Sequence, residues 1–187
     1  MSKQFAINPK LDLVFERVID APARIVWEAL TKPEHIKEWY MPKQWGRVVR
    51  TEMDARPGGI FSIDIALPDG REFPNLGCVL EVVPMERLVW TSMLFPGYRP
   101  AVFDDVPITA IMTLESVGTG TRYVFTALHR DESADYRGYG AACSRYGRIG
   151  AQGLAGKRRR NGPDETGHRV GTLNGDDKAA STGGVCP

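Results

Sequence analysis

The sequence predicts an α+β fold, an antiparallel sheet with two short helices after its first strand. Three observations predict it. Apolar residues recur at every second position through most of residues 12–129, but every three to four positions over residues 23–40. Turn-forming groups, Arg56-Pro57-Gly58-Gly59, Pro68-Asp69-Gly70 and Gly118-Thr119-Gly120, separate the period-two runs at hairpin spacing. Beyond Asp131 the large apolar residues that build a core almost stop.

Each element has its own reason. Residues 12–19 alternate at Leu13, Phe15 and, less cleanly, Arg17, and their β-branched content predicts a strand. Asp20 and Pro22 then open a helix, with Ile25, Val26, Ala29 and Leu30 on one stripe and Trp27 beside it. Thr31 or Lys32 caps a second helix that Pro33 starts and Pro42 stops, with Ile36, Trp39 and Tyr40 on its apolar face. From Gln44 the period returns to two, with strands predicted around 48–54, 60–67 and 71–83. Asp69-Gly70 suits a turn that needs positive φ. Gly77 falls where a side chain would crowd a neighbour or a ligand. A single strand is expected over 86–95, a loop over 96–107, and final strands over 108–117 and 121–129. Successive hairpins imply antiparallel pairing.

The chain has 187 residues and a formal net charge of +1, so no overall field draws it to nucleic acid or an anionic membrane. The opening MSKQFAINPK lacks the apolar core of a signal peptide, and no run of eighteen apolar residues would span a bilayer. Cys78, Cys143 and Cys186 are odd in number and scattered, which excludes a disulfide framework or a CxxC knuckle. A reduced, cytoplasmic protein is expected, with no metal and no cofactor. Residues 132–187 hold 12 of the 20 glycines but only Ile149, Leu154, Val170, Leu173 and Val185 as large apolar residues. That is too little apolar surface to offset the entropy of ordering the segment. Residues 1–131 are therefore expected to form the folded domain, and 132–187 an atypical Gly/Arg-rich, largely disordered tail.

Three segments in order carry a family resemblance: FERVIDAPARIVWEALTKPEHIKEWYMP (15–42), RPGGIFSIDI (56–65) with its Pro-Asp-Gly hairpin, and GCVLEVVPMERLVWT (77–91). They resemble the START-like (SRPBCC) superfamily, within it homologues of the heat-shock-ninety ATPase activator. The resemblance implies a helix-grip fold, a curved antiparallel sheet around a long C-terminal helix with an apolar cavity between. It also implies binding of hydrophobic small molecules, or a co-chaperone role; some superfamily members catalyse cyclisation. Such families follow the last strand with an amphipathic helix carrying a Gly-Trp pair. Here the chain instead reads ADYRGYGAACSRYGRIGAQGLAGKRRR from residue 134, without Trp or apolar period. A lid helix burying about six large side chains contributes on the order of 9–18 kcal/mol, comparable to the net stability of a domain, about 5–15 kcal/mol. An open inner face is the expected result, and a changed reading frame near residue 133 is one explanation of the composition.

Candidate chemistry is sparse. His35 and His129 have no nucleophile or ligand partner in sequence, and His168 lies in the tail. Ser62, Ser92 and Ser116 lack the G-x-S-x-G elbow, so a hydrolase triad is not expected. No glycine pair here opens a helix or precedes GK[ST], which argues against a phosphate loop. Cys78 in its strand reads as a packed thiol. The run Lys157-Arg158-Arg159-Arg160 reads as a solvated charge cluster rather than a nucleic-acid site. Asp64 and Glu81 lie in strands, where an inward carboxylate would orient a ligand, but a one-residue shift flips the face. The aromatics Trp27, Trp39, Trp45, Phe61, Phe73, Trp90, Phe95 and Phe125 are the candidate cavity lining. The expected function is binding of a hydrophobic small molecule, without assigned catalysis. The alternatives are a co-chaperone that stimulates a chaperone ATPase, a cyclase-like enzyme, and a non-functional product of a changed frame. The expected partners are an apolar small molecule, a chaperone and a second copy in a homodimer, with no nucleic acid and no membrane.

Overall fold

The computed structural model describes residues 6–41, 44–102 and 107–130, so the expectations for residues 132–187 lie outside the described residues. β1 (Leu13–Ile19) leads into α1 (Ala23–Thr31) and α2 (Pro33–Trp39). The strands β2 (Arg47–Met53), β3 (Ile60–Ala66), β4 (Glu72–Val83), β5 (Arg87–Thr91), β6 (Leu94–Phe95), β7 (Arg99–Pro100), β8 (Ile108–Val117) and β9 (Gly120–His129) follow. Seven of them form one antiparallel sheet in the order β1-β9-β8-β5-β4-β3-β2; β6 and β7 pair separately. The sheet curls strongly into a half-barrel, and the architecture is the α+β helix grip that the family resemblance implies.

The helix pair shows how local chemistry sets the path. Pro33 disfavours the helical region for the residue before it. Lys32 is accordingly extended, at φ −93° and ψ 122°, and serves as both the end of α1 and the cap of α2. Neither of the two residues expected to cap does so with its side chain. Thr31 instead donates its Oγ1 proton back to the Trp27 carbonyl at 2.8 Å. Val26, Ala29, Leu30 and Ile36 turn into the core and are almost wholly buried.

The turns behave as their residues require. Gly70 has φ 88° in the Pro-Asp-Gly hairpin, closed by the Leu67 amide on the Arg71 carbonyl at 2.9 Å. Gly77 meets a neighbour rather than a ligand. A Cβ there would lie 2.7 Å from the Thr91 carbonyl oxygen and 3.0 Å from Trp90 Cε3.

One element differs from expectation. The strand predicted over 86–95 ends at Thr91. Thr91 Oγ1 donates to the Ile108 carbonyl at 2.9 Å, and Ser92 Oγ accepts from the Ile108 amide at 3.0 Å. The two hydroxyls thus join the Ser92 amide, which donates to the Ile108 carbonyl at 3.1 Å, in holding the start of β8, and the backbone leaves the sheet after Ser92. It forms the β6–β7 hairpin around a 3-10 turn at Pro96–Tyr98. The segment expected as a plain loop therefore carries structure, with the Tyr98 ring against Gly58.

Register assigns the faces. Phe15 opposes Phe125, which opposes Met112, which opposes Leu88. Trp90 opposes Val79 and Ala110, and Phe61 opposes Gly77 and Met53. These residues share the face that carries α1 and α2, here the inner face. Its buried floor is Phe61, Ile63, Ile65, Val79, Leu88, Met112, Leu114 and Tyr123. The outer face holds the residues of opposite parity. Asp64 and Glu81 lie there, paired with Arg50 at 3.3 Å and with Arg87 respectively. Neither carboxylate reaches the inner face, which settles the parity that the sequence left open.

Candidate ligand-binding face

The inner face is aromatic, and the chain covers it unevenly. Phe61 and Trp90 meet edge to face, with ring centroids 4.8 Å apart. Phe15 and Tyr123 form a second edge pair at 6.4 Å. Phe125, Trp27 and Trp39 pack on the same core and remain half-buried, as do Phe15 and Trp90. An apolar floor is thus sealed while the aromatic side chains above it keep accessible surface.

The eight sequence-predicted residues do not all converge. Trp27, Trp39, Phe61, Trp90 and Phe125 belong to the inner cluster. Trp39 also ties the helices together, its Nε1 donating to the Ala29 carbonyl at 2.8 Å while its ring leans on Tyr40 at 5.8 Å. Phe73 shares inner parity with Ile65 but is exposed near the hairpin end, with the Arg71 guanidinium 5.8 Å from its ring centroid. Trp45 is half-buried in the turn before β2. Phe95 lies in β6, outside the main sheet, and is exposed.

Polar groups on this face are few. The Trp90 indole N–H is buried and has no hydrogen-bond acceptor among the described residues. Tyr123 is 7 % exposed, and burial holds its hydroxyl well above the usual phenol range, so it stays neutral. Arg17, directly opposite Tyr123, is half-buried with its guanidinium 6.0 Å from the Phe15 ring centroid. Phe15, Arg17 and Tyr123 were not among the sequence candidates. The signal was present in the strand alternation, where Arg17 occupies an otherwise apolar position.

The other chemical candidates resolve into structural contacts. His35 is half-buried, with Nδ1 3.3 Å from the Glu28 carbonyl oxygen. His129 Nδ1 is 2.9 Å from the Leu11 carbonyl oxygen at the end of β9. Cys78 is wholly buried. Among the described residues no three His, Cys, Asp or Glu side chains gather to hold a metal ion. No described helix is long and apolar enough to cross a membrane.

Comparison with known proteins agrees with this architecture. The family described as "Activator of Hsp90 ATPase homolog 1-like protein" matches residues 20–144, and the chain belongs to that family. A crystal structure of a Nitrosomonas europaea protein is 35% identical, with TM-score 0.73, over 82% of this chain and 99% of its own. A Rhodobacter sphaeroides protein is 18% identical, with TM-score 0.69, over 85% of this chain and 99% of its own. The solution structure of an AHSA1-like protein from Aeromonas hydrophila is 19% identical, with TM-score 0.64, over 84% of this chain and 100% of its own. The last two share the fold. A search of curated proteins gives no match.

Proposed function

We propose that the protein binds a hydrophobic small molecule against the inner face of its half-barrel. The observation that carries this reading is the half-covered aromatic set Phe15, Trp27, Trp90 and Phe125 over a fully buried floor. Ligand sites are predominantly apolar and aromatic with few polar groups, and this face has that composition. Family membership supports the same class of module. The test is proton–nitrogen NMR of the full chain titrated with 1-decanol, a neutral apolar probe. Saturable shifts of the Trp90 and Trp27 indole signals are expected. Shifts confined to outer-face amides, or none, would sink the reading.

A second reading, interaction with a chaperone ATPase, draws on a different surface. Met93, Phe95, Tyr98 and Val102 are exposed by 40%, 39%, 50% and 89%, on and beside the β6–β7 hairpin. Contiguous exposed apolar groups are what a protein contact needs. Its test is Hsp90 ATPase turnover with and without the full chain. Stimulation that Phe95→Ser with Tyr98→Ser abolishes would favour it, and an unchanged turnover would remove it.

A further inference from the structure

We propose that Arg17 and the Tyr123 hydroxyl form the head-group subsite of the inner face, and that its ligand is an apolar monocarboxylate. The inference rests on the small-molecule reading above and names the class of molecule.

Six other described arginines are matched, and Arg47 and Arg99, which have no ion pair among the described residues, are exposed to solvent. Arg24, Arg50, Arg56, Arg71, Arg87 and Arg122 each meet a carboxylate. Arg17 meets none among the described residues; its one described contact is the Phe15 ring. It is also half-buried on an apolar face, where an unpaired cation is costly to keep. Tyr123 sits directly across the β1–β9 ladder on the same face. Opposed residues bring their Cβ atoms to about 4.5–5.5 Å. The Tyr123 ring meets the Phe15 ring edge to face, with centroids 6.4 Å apart. A guanidinium fork and a neutral phenol are therefore carried at opposed positions of the ladder, next to the same Phe15 ring.

Chemistry narrows the occupant. The planar fork matches a carboxylate in bidentate fashion, and the phenol adds one further donor. One positive charge balances one negative charge, which favours a monocarboxylate over a dianion. The next row of the sheet, Phe15, Phe125, Met112 and Leu88, is apolar throughout and runs across four strands, β1, β9, β8 and β5. An acyl or aryl body would lie along it.

The test compares decanoate, 1-decanol and decylammonium on the full chain, each below its micelle concentration, by calorimetry. Decanoate is expected to bind at least tenfold more tightly than 1-decanol, and decylammonium more weakly than either. Arg17→Gln should bring decanoate down to the affinity of 1-decanol. Tyr123→Phe, which keeps the ring and its packing, should lower decanoate affinity severalfold and serves if Arg17→Gln does not fold. Equal binding of decanoate and 1-decanol by the wild-type chain overturns the head-group subsite and leaves the apolar-ligand reading standing. Binding of none of the three overturns both.

Discussion

Gly77 shows how one residue couples backbone to site. It has no room for a methyl group, because the Thr91 carbonyl and the Trp90 ring occupy that space. Gly77→Ala should therefore destabilise the domain by about 1–3 kcal/mol, the usual cost of overpacking, and shift the Trp90 fluorescence. Gly70→Ala meets no atom within 4 Å but sits at φ 88°. It should cost only backbone strain, about 1 kcal/mol. Urea midpoints of the two variants check the contrast; equal losses without a change in Trp90 emission would refute the packing argument. The sequence marked Gly77 as a crowded position but could not tell neighbour from ligand. Asp64, Glu81 and Arg17 show the same limit. Strand membership was legible from alternation, whereas the face depended on register, which is fixed by pairing across strands distant in sequence. The bulges between Val48 and Arg50 and between Val79 and Glu81 shift that register locally.

At the scale of elements, the helix pair is a single unit seated by few contacts. Ile36 is 1% exposed and anchors α2, while Ile25 on α1 is 36% exposed. Ile36→Ala should lower stability by about 2–5 kcal/mol, and Ile25→Ala by less than about 1 kcal/mol. Trp39→Phe removes the bond to Ala29 and should cost about 1 kcal/mol. Thermal melts of the three variants would rank them; an Ile25 variant as damaged as the Ile36 variant would contradict the placement. Both helices were readable because Pro33 and the apolar stripe are local signals. The early end of β5 was not readable. It is set by Thr91 and Ser92 bonding to Ile108, a contact that appears only after the chain folds.

For the molecule as a whole, the paired charges lie on the surface. The Arg122 guanidinium bonds to Glu16 and lowers its carboxyl below the ordinary range. Lys32, then Arg24, does so for Glu28, and the Arg71 backbone amide does so for Asp69. A depressed folded-state value means that the charged form is favoured on folding. The contribution is therefore present above the ordinary carboxylate range and lost as pH falls through the lowered values. All three groups are solvent-screened, so the effect should be small and should shrink further in 1 M salt. Melting temperature against pH, at low and high salt, measures it. A melting temperature that rises on acidification would contradict the assignment.

The pairing of β1 with β9 has a consequence in time. The Thr121 hydroxyl bonds to the Ala21 carbonyl across 100 residues of chain. At about 5–20 residues per second, β1 waits on the order of 5–20 s after leaving the ribosome before its partner strand exists. During that interval Phe15, Ile19 and an unpaired strand edge are presented to the surroundings. A nascent chain arrested before Gly120 should be bound by holdase chaperones far more than one released after His129, because β1 cannot close onto the sheet until β9 has been made.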